Sequence, residues 1–294
     1  MTVLVFGRTG QLATALVHHS WAPSADGRPR AVIALGSAEA DIRDAAAVAN
    51  AIAAHQPSLV VNAAAYTAVD KAESEPEAAY AVNEAGPAAI ALAAAAADIP
   101  LIHVSTDYVF DGTGNVPYGE EQPTAPLGVY GASKLAGEKA VAAAGGRSVS
   151  LRTSWVFSAD GNNFVKTMLR LGAERPTLRV VADQVGRPTA AADIAAAIAF
   201  LEPFVREGRL NGAVHFGGDA PISWHGFAEE IFDAAAALGR PRPTVAPITT
   251  AEYPTPAKRP AYSVLACDRF LALPGACLPD WRSSLRKVVA TLCH

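Results

Sequence analysis

Tyr130 and Lys134, in the run Tyr130-Gly131-Ala132-Ser133-Lys134, stand four residues apart in a stretch of helical composition, so both project from one face. A tyrosine with a pKa of about 10 exchanges protons sluggishly at neutral pH, but a neighbouring ammonium favours the phenolate and lowers that value by roughly 1–3 units. Such a pair suits proton transfer at a reacting oxygen. Upstream, the apolar run Leu101-Ile102-His103-Val104 leads straight into Ser105-Thr106-Asp107-Tyr108, which sets hydroxyls and a carboxylate at the end of a strand.

A second chemistry belongs to Gly7-Arg8-Thr9-Gly10-Gln11-Leu12-Ala13, placed between an apolar strand and a helical run. Gly7 permits a tight turn, Gly10 lets backbone approach a pyrophosphate, and Ala13 lets the helix sit close to the strand with its first amides facing the anion. A dinucleotide is the ligand this predicts, with Gly7, Arg8, Gly10, Gln11 and Leu12 around it. The second strand ends Leu35-Gly36-Ser37 without the acid that holds an adenosine ribose, so both NADPH and NADH are expected cofactors. Arg8 reads either as a partner for a 2′-phosphate or as a solvated turn residue. Asp41 is a candidate for the adenine amine, with Ile42 against the ring, and Asp41 or Asp44 reads equally as a helix cap. The strand end Asn62-Ala63-Ala64-Ala65-Tyr66-Thr67 adds Ala63, Ala64, Ala65 and Thr67, small residues where a cofactor passes close to backbone. Asn83 is polar within a helical stretch and either bonds the active-site backbone or faces solvent.

The elements that must position these groups alternate. Strands are expected at residues 3–6, 31–35, 59–61, 101–104 and 148–151, with helices at 12–19, 45–54, 76–97 and 130–144 between them. This is an α/β chain with a Rossmann-type doubly wound parallel sheet and a smaller, mixed C-terminal substrate-binding lobe. Residues 1–152 are assigned to the dinucleotide-binding domain and 153–294 mainly to the lobe, with some later segments returning to the sheet. Helices near 163–171, 191–201 and 224–238 and an irregular, proline-rich crossing loop at 240–260 are expected there.

Composition removes other classes. At 294 residues, 51% hydrophobic and 18% charged, the chain is expected to fold compactly. A net charge of −4 with no basic block argues against nucleic acid as a partner, and no stretch reads as a membrane span. The N-terminus shows no secretory signal, and Cys267, Cys277 and Cys293 are odd in number at non-metal spacing; a reducing cytoplasm and no metal site are expected.

Together these residues resemble the dTDP-4-dehydrorhamnose reductases, extended short-chain dehydrogenases, over residues 3–265. The resemblance is carried by residues 7–12, 60–73, 105–112, 130–134, by Arg152-Thr153-Ser154-Trp155-Val156-Phe157 and by Asp183-Gln184-Val185-Gly186-Arg187-Pro188-Thr189. It implies reduction of the C4 keto group of dTDP-4-dehydro-L-rhamnose by NADPH or NADH. Tyr130 then gives the proton, Lys134 lowers the phenol's pKa and holds the nicotinamide ribose, and Thr106 bonds the same oxygen. Asp107 and Trp155 are carried onto the sugar side, and Asn163, Arg187 and Arg259 toward the nucleotide diphosphate; a homodimer is compatible with the resemblance. Dehydratases, which the chain also resembles, carry a glutamate after the Thr-Asp pair, where this chain has Tyr108. An epimerase or dehydratase, a reductase of another 4-keto deoxysugar, and a non-catalytic subunit like the regulatory partner of methionine adenosyltransferase are the competing readings.

Overall fold

The computed structural model describes residues 1–23 and 27–293. In the first half, β1 (Thr2–Phe6), α1 (Gln11–His18), β2 (Ala31–Leu35), α2 (Ala45–His55) and β3 (Leu59–Asn62) alternate. Then come α3 (Val69–Ala72), α4 (Pro76–Tyr80), a π-helical turn at Ala81–Ala85, α5 (Gly86–Ala96), β4 (Leu101–Thr106), α6 (Val129–Ala143) and β5 (Ser148–Thr153). The second half contains β6 (Val156–Phe157), α7 (Phe164–Glu174), β7 (Thr177–Val181), β8 (Val185–Gly186), β9 (Thr189–Ala190), α8 (Ala191–Arg206) and β10 (Gly212–His215). It closes with β11 (Ile222–Ser223), α9 (Trp224–Ala236), β12 (Thr244–Ile248), α10 (Asp268–Leu271) and α11 (Trp281–Cys293).

Six strands form one sheet in the order β10-β5-β4-β3-β1-β2, parallel at every pairing. Because side chains alternate along a strand, Val3 and Val5 enter the core under α8 while Leu4 and Phe6 enter the core under α2 and α5. The order reverses direction between β1 and β3. In such sheets ligands bind beyond the strands' carboxyl ends at that switch point, which is where the Gly7–Gly10 turn lies.

A separate core of Phe157, Val165, Met168, Leu178, Phe227, Phe232, Trp281 and Leu285 joins α7, α9 and α11. The segment expected as an irregular loop at 240–260 instead contributes β12, which runs parallel to β7. Pro247 is tolerated because this is a two-stranded sheet with an open edge, and the residue is exposed. The helix expected over 76–97 is divided by the π-helical turn. Pro87 has no N–H to return to Asn83, so the regular ladder fails there. Two buried ion pairs stitch the sheet region to helices: Arg30, just before β2, to Glu202 on α8, and Arg152 on β5 to Glu138 on α6. No helix among the described residues is long and apolar enough to cross a membrane.

Candidate active site

At the switch point, Gly7 has φ +107° and donates its N–H to Leu35 O at 2.8 Å. A Cβ there would stand 3.0 Å from Ala64 N and 3.1 Å from the Ala63 carbonyl carbon, so both the dihedral and the close approach require glycine. Gly10 is the extended N-cap of α1, with no side-chain cap and no acid in the first turn; a Cβ on it would meet nothing within 4 Å. The first amides of α1 therefore face an open space that an anion suits. This cradle fits a dinucleotide pyrophosphate. Leu12 lies in the core beneath the sheet, so only its backbone faces the cradle. Gln11 Oε1 accepts from Ser158 Oγ at 3.1 Å and Asn163 Nδ2 at 3.0 Å, tying the turn to the lobe. Across the crevice Asn62 Oδ1 accepts Ala64 N at 3.1 Å, fixing the path of Ala63, Ala64 and Ala65, while Thr67 is exposed.

The adenosine end corrects one expectation. An acid does stand beyond β2: Glu39 Oε2 accepts Gly36 N at 3.0 Å, and its other oxygen pairs with Arg8. The sequence hid it because Glu39 lies past a turn rather than at the strand's last residue. Asp41 is gripped by Arg43, whose side-chain hydrogen bonds, at 2.6 Å for Nη2, hold its carboxyl down at about 2. Asp44, not Asp41, caps α2, accepting from Ala46 N and Ala47 N. Ile42 is 6% exposed and packs under Gly86, so its side chain serves the core rather than offering a face to an adenine ring.

At the reactive end, β4 delivers Thr106 and Asp107, while α6 delivers Tyr130 and Lys134. Gly131 and Gly137 let α6 lie flush against the backbone, since a Cβ on either would come within 2.1 Å of Tyr108 O or 2.0 Å of Asn83 O respectively. Asn83 lies in the π-helical turn, where its amide accepts Tyr66 N at 2.8 Å and donates to Ser133 Oγ at 3.0 Å. Ser133 Oγ in turn donates to Tyr130 O at 2.9 Å. Thr106 Oγ1 donates to Asp107 Oδ1 at 3.0 Å and accepts Tyr108 N at 3.2 Å. The ring of Tyr108 meets Tyr130 edge-on, centroids 5.4 Å apart.

The electrostatics depart from the simple Tyr–Lys picture. Burial pushes the Tyr130 phenol up to about 12, with Thr106 opposing and Asp107 adding to the rise. Burial also lowers Lys134 to about 8, partly offset by Glu138 one turn along. The expected depression of the phenol by Lys134 is absent, because the ammonium points to Val104 O at 2.7 Å. Tyr130 is consequently a neutral hydroxyl at physiological pH, the form that donates a proton. Burial likewise raises Asp107 to about 6.

Of the residues carried toward substrate, two arginines keep buried, unpartnered nitrogens: Arg187 Nε and Arg259 Nη1. Ser105 Oγ, Asp107 Oδ2 and Thr153 Oγ1 share that condition at the ends of β4 and β5. Buried polar atoms rarely stay unpaired; Arg30 Nε and His103 Nε2 are also unpartnered, and the atoms at the strand ends and on the two arginines are the candidates for ligand contact. Arg187 Nη1 donates to Gly218 O at 2.9 Å and Arg259 Nη2 to Asp70 Oδ2 at 2.7 Å. Asn163 is different. It caps α7, and its amide donates to Gln11, Ser158 O and Asp160 O, so it is spent on the protein rather than free for a diphosphate. Trp155 occupies a left-handed backbone, φ +48°, strained for so bulky a residue. Its ring is held between Gly186, where a Cβ would come within 2.4 Å, and Trp224, stacked at 3.5 Å. Trp224, far along the chain, carried no local signal of this role.

Comparison with known proteins agrees with this geometry. The model of the RmlD substrate binding domain family matches residues 1–293. A dTDP-4-dehydrorhamnose reductase of Sinorhizobium fredii is 45% identical over 296 residues, covering 99% of this chain and 98% of the relative. One of Burkholderia thailandensis is 43% identical over 303 residues, covering 99% of each. Among solved structures, a dTDP-4-dehydrorhamnose reductase of Clostridium acetobutylicum superposes with a TM-score of 0.90 at 36% identity over 100% of both chains. One of Bacillus anthracis, in complex with NADP, gives 0.90 at 34% identity over 99% of each. From the glycine turn to the last helix, then, this chain belongs to the dTDP-4-dehydrorhamnose reductase family.

Proposed function

We propose that this chain reduces the C4 keto group of dTDP-4-dehydro-L-rhamnose to give dTDP-L-rhamnose, using NADPH or NADH. The observation that carries the reading is the placing of Tyr130, at the start of α6, beside Thr106, at the end of β4, on a sheet whose glycine cradle fits a dinucleotide. A dihydronicotinamide held by this cradle would supply the hydride that the sugar carbon takes up. As negative charge grows on the sugar oxygen, Tyr130 gives up its proton and Thr106 Oγ1 turns its one hydrogen from Asp107 Oδ1 to that oxygen. Donors placed beside the reacting oxygen stabilise that charge as it develops. Lys134, a cation below about pH 8 and turned to Val104 O, would hold the nicotinamide ribose rather than stabilise the phenolate. Arg187 and Arg259 each offer a spare N–H to the diphosphate. Tyr108 leaves the neighbouring position without a carboxylate, which disfavours dehydration. The test is incubation of the purified chain with the 4-keto sugar nucleotide. One dihydronicotinamide consumed per product formed supports reduction, and turnover with no net consumption would mean an epimerase.

Two outcomes follow from the electrostatics. With Glu39 paired to Arg8, the carboxylate competes for the guanidinium and repels a 2′-phosphate. Glu39→Gln is therefore expected to raise the NADPH-to-NADH ratio of kcat/KM by about tenfold; an unchanged ratio would separate Glu39 from cofactor choice. The second concerns pH. Lys134 is charged below about 8 and neutral above it, so kcat/KM is expected to fall as pH rises through that value. Lys134→Arg, which stays charged, should move this limb beyond the measurable range, whatever its overall cost in rate.

The same reading places the chain in a reducing cytoplasm, in keeping with three unpaired cysteines, and as a homodimer whose mass sedimentation would report.

A further inference from the structure

Helix α3 and the residue that follows it contact both the start of α6 and Arg259. Helix α6, which carries Tyr130, begins at Gly128, an N-cap with no side chain to satisfy the first amides. The missing cap arrives from a distant part of the chain, as Glu73 Oε1 accepts Val129 N at 2.8 Å. The fit is close, since a Cβ on Gly128 would stand 2.4 Å from that oxygen. A carboxylate at a helix N-terminus also meets the positive end of the helix dipole. Three residues earlier, Asp70 Oδ1 accepts Ala257 N at 3.1 Å and Oδ2 accepts Arg259 Nη2 at 2.7 Å. The other arm of that guanidinium, Nη1, is buried and unpartnered.

We propose that α3 and Glu73 form a positioning element for the reaction: Glu73 caps and seats the helix bearing Tyr130, while Asp70 holds Arg259 with one arm free for the diphosphate. One turn of helix thus registers the proton donor against the nucleotide end of the substrate. Neither acidic side chain touches a reacting atom. The inference rests on the reading that Arg259 meets the diphosphate and Tyr130 the sugar oxygen.

The two halves predict different kinetic signatures. Glu73→Ala should lower kcat about five- to tenfold with KM for the sugar nucleotide within about twofold, because a lost cap loosens the first turn of α6. Asp70→Asn should instead raise KM about tenfold and leave kcat largely intact, because Arg259 is no longer held in place. Amide hydrogen exchange at residues 129–131 should quicken in Glu73→Ala and stay unchanged in Asp70→Asn.

The decisive variant is Glu73→Ala combined with Gly128→Ser. Removing the glutamate vacates the space a Cβ on Gly128 needs, and the serine hydroxyl supplies a local cap. Recovery of kcat to within about twofold of the parent, with restored exchange protection, supports the proposal. It is overturned if Glu73→Ala changes neither kcat nor exchange, if the double variant folds with protection restored but does not recover rate, or if Asp70→Asn leaves KM unmoved. Tyr130→Phe separates the layers. Full turnover in that variant would sink the underlying reading, whereas a dead Tyr130→Phe beside unaffected Glu73→Ala and Asp70→Asn sinks only this inference.

Discussion

Replacing Tyr130 with phenylalanine is expected to lower kcat by about 10²–10⁴-fold, the range spanned by loss of a positioned proton donor. The ring can keep its edge-on contact with Tyr108, so packing is preserved while the hydroxyl is deleted. KM for the sugar nucleotide should change little, since the deleted interaction strengthens only as charge builds on the substrate oxygen. Rising pH should not mimic the variant through the phenol itself. With its pKa at about 12, the phenol stays protonated across the working range, and the alkaline decline belongs to Lys134. Steady-state kinetics with a thermal melt checks all of this, and near-parental kcat in a folded variant would remove Tyr130 from the chemistry.

Glu138→Ala is expected to cost about 3–5 kcal/mol of stability, the usual price of breaking one buried ion pair and stranding its partner. Arg152 donates to Glu138 through Nη2 at 2.7 Å and Nε at 3.0 Å, and both side chains are nearly inaccessible. Its other partners among the described residues are both uncharged: His215 Nε2, 3.2 Å from Nη1, and the Phe110 ring, 5.2 Å from Cζ. His215 Nδ1 lies 2.8 Å from Ala266 O and 3.1 Å from Tyr118 O, so the proton sits on Nδ1 and Nε2 is an acceptor. The imidazole cannot also neutralise the arginine. For a chain of this size the melting temperature should fall by about 10 °C. Burial first, and then the charge of Arg152, lowers His215 to about 3. The unfolded chain binds that proton more readily, so this contribution to stability is complete above about 6.5 and is lost as pH falls toward 3. Denaturant melts across that window, and of Glu138→Ala at neutral pH, are the measurements. Because Glu138 also raises Lys134, the variant should shift the alkaline limb of kcat/KM downward.

What could be read without coordinates was what is encoded locally. The Gly7–Gly10 turn, the Thr106-Asp107 strand end and the Tyr130–Lys134 pair each occupy one short stretch, where spacing alone decides which groups share a face. Strands β1, β2 and β3 were equally plain as short apolar runs, whereas β5 alternates Ser148, Ser150 and Arg152 with Val149 and Leu151. Groups defined by contacts across the chain were not. Glu39 comes beside the glycine turn only through its bonds to Gly36 and Arg8, Glu73 becomes a cap only once α6 arrives, and Trp224 stacks only on Trp155. Asn163 misled in the opposite direction: a polar side chain beside a pocket looks available until its partners are seen. The Lys134 effect on Tyr130 was misjudged because sharing a helix face says nothing about where a long, flexible amine points.

The arrangement of β10 and α8 bears on how the protein is made. Arg30 and Arg152 emerge from the ribosome early, yet Glu202 and His215, which complete their buried contacts, are translated much later. Until residue 215 is out, the nascent sheet lacks its final edge strand and two guanidinium groups lack their full set of partners. The first five strands are thus synthesised before the contacts that complete their sheet, which arrive only with residues 202 to 215.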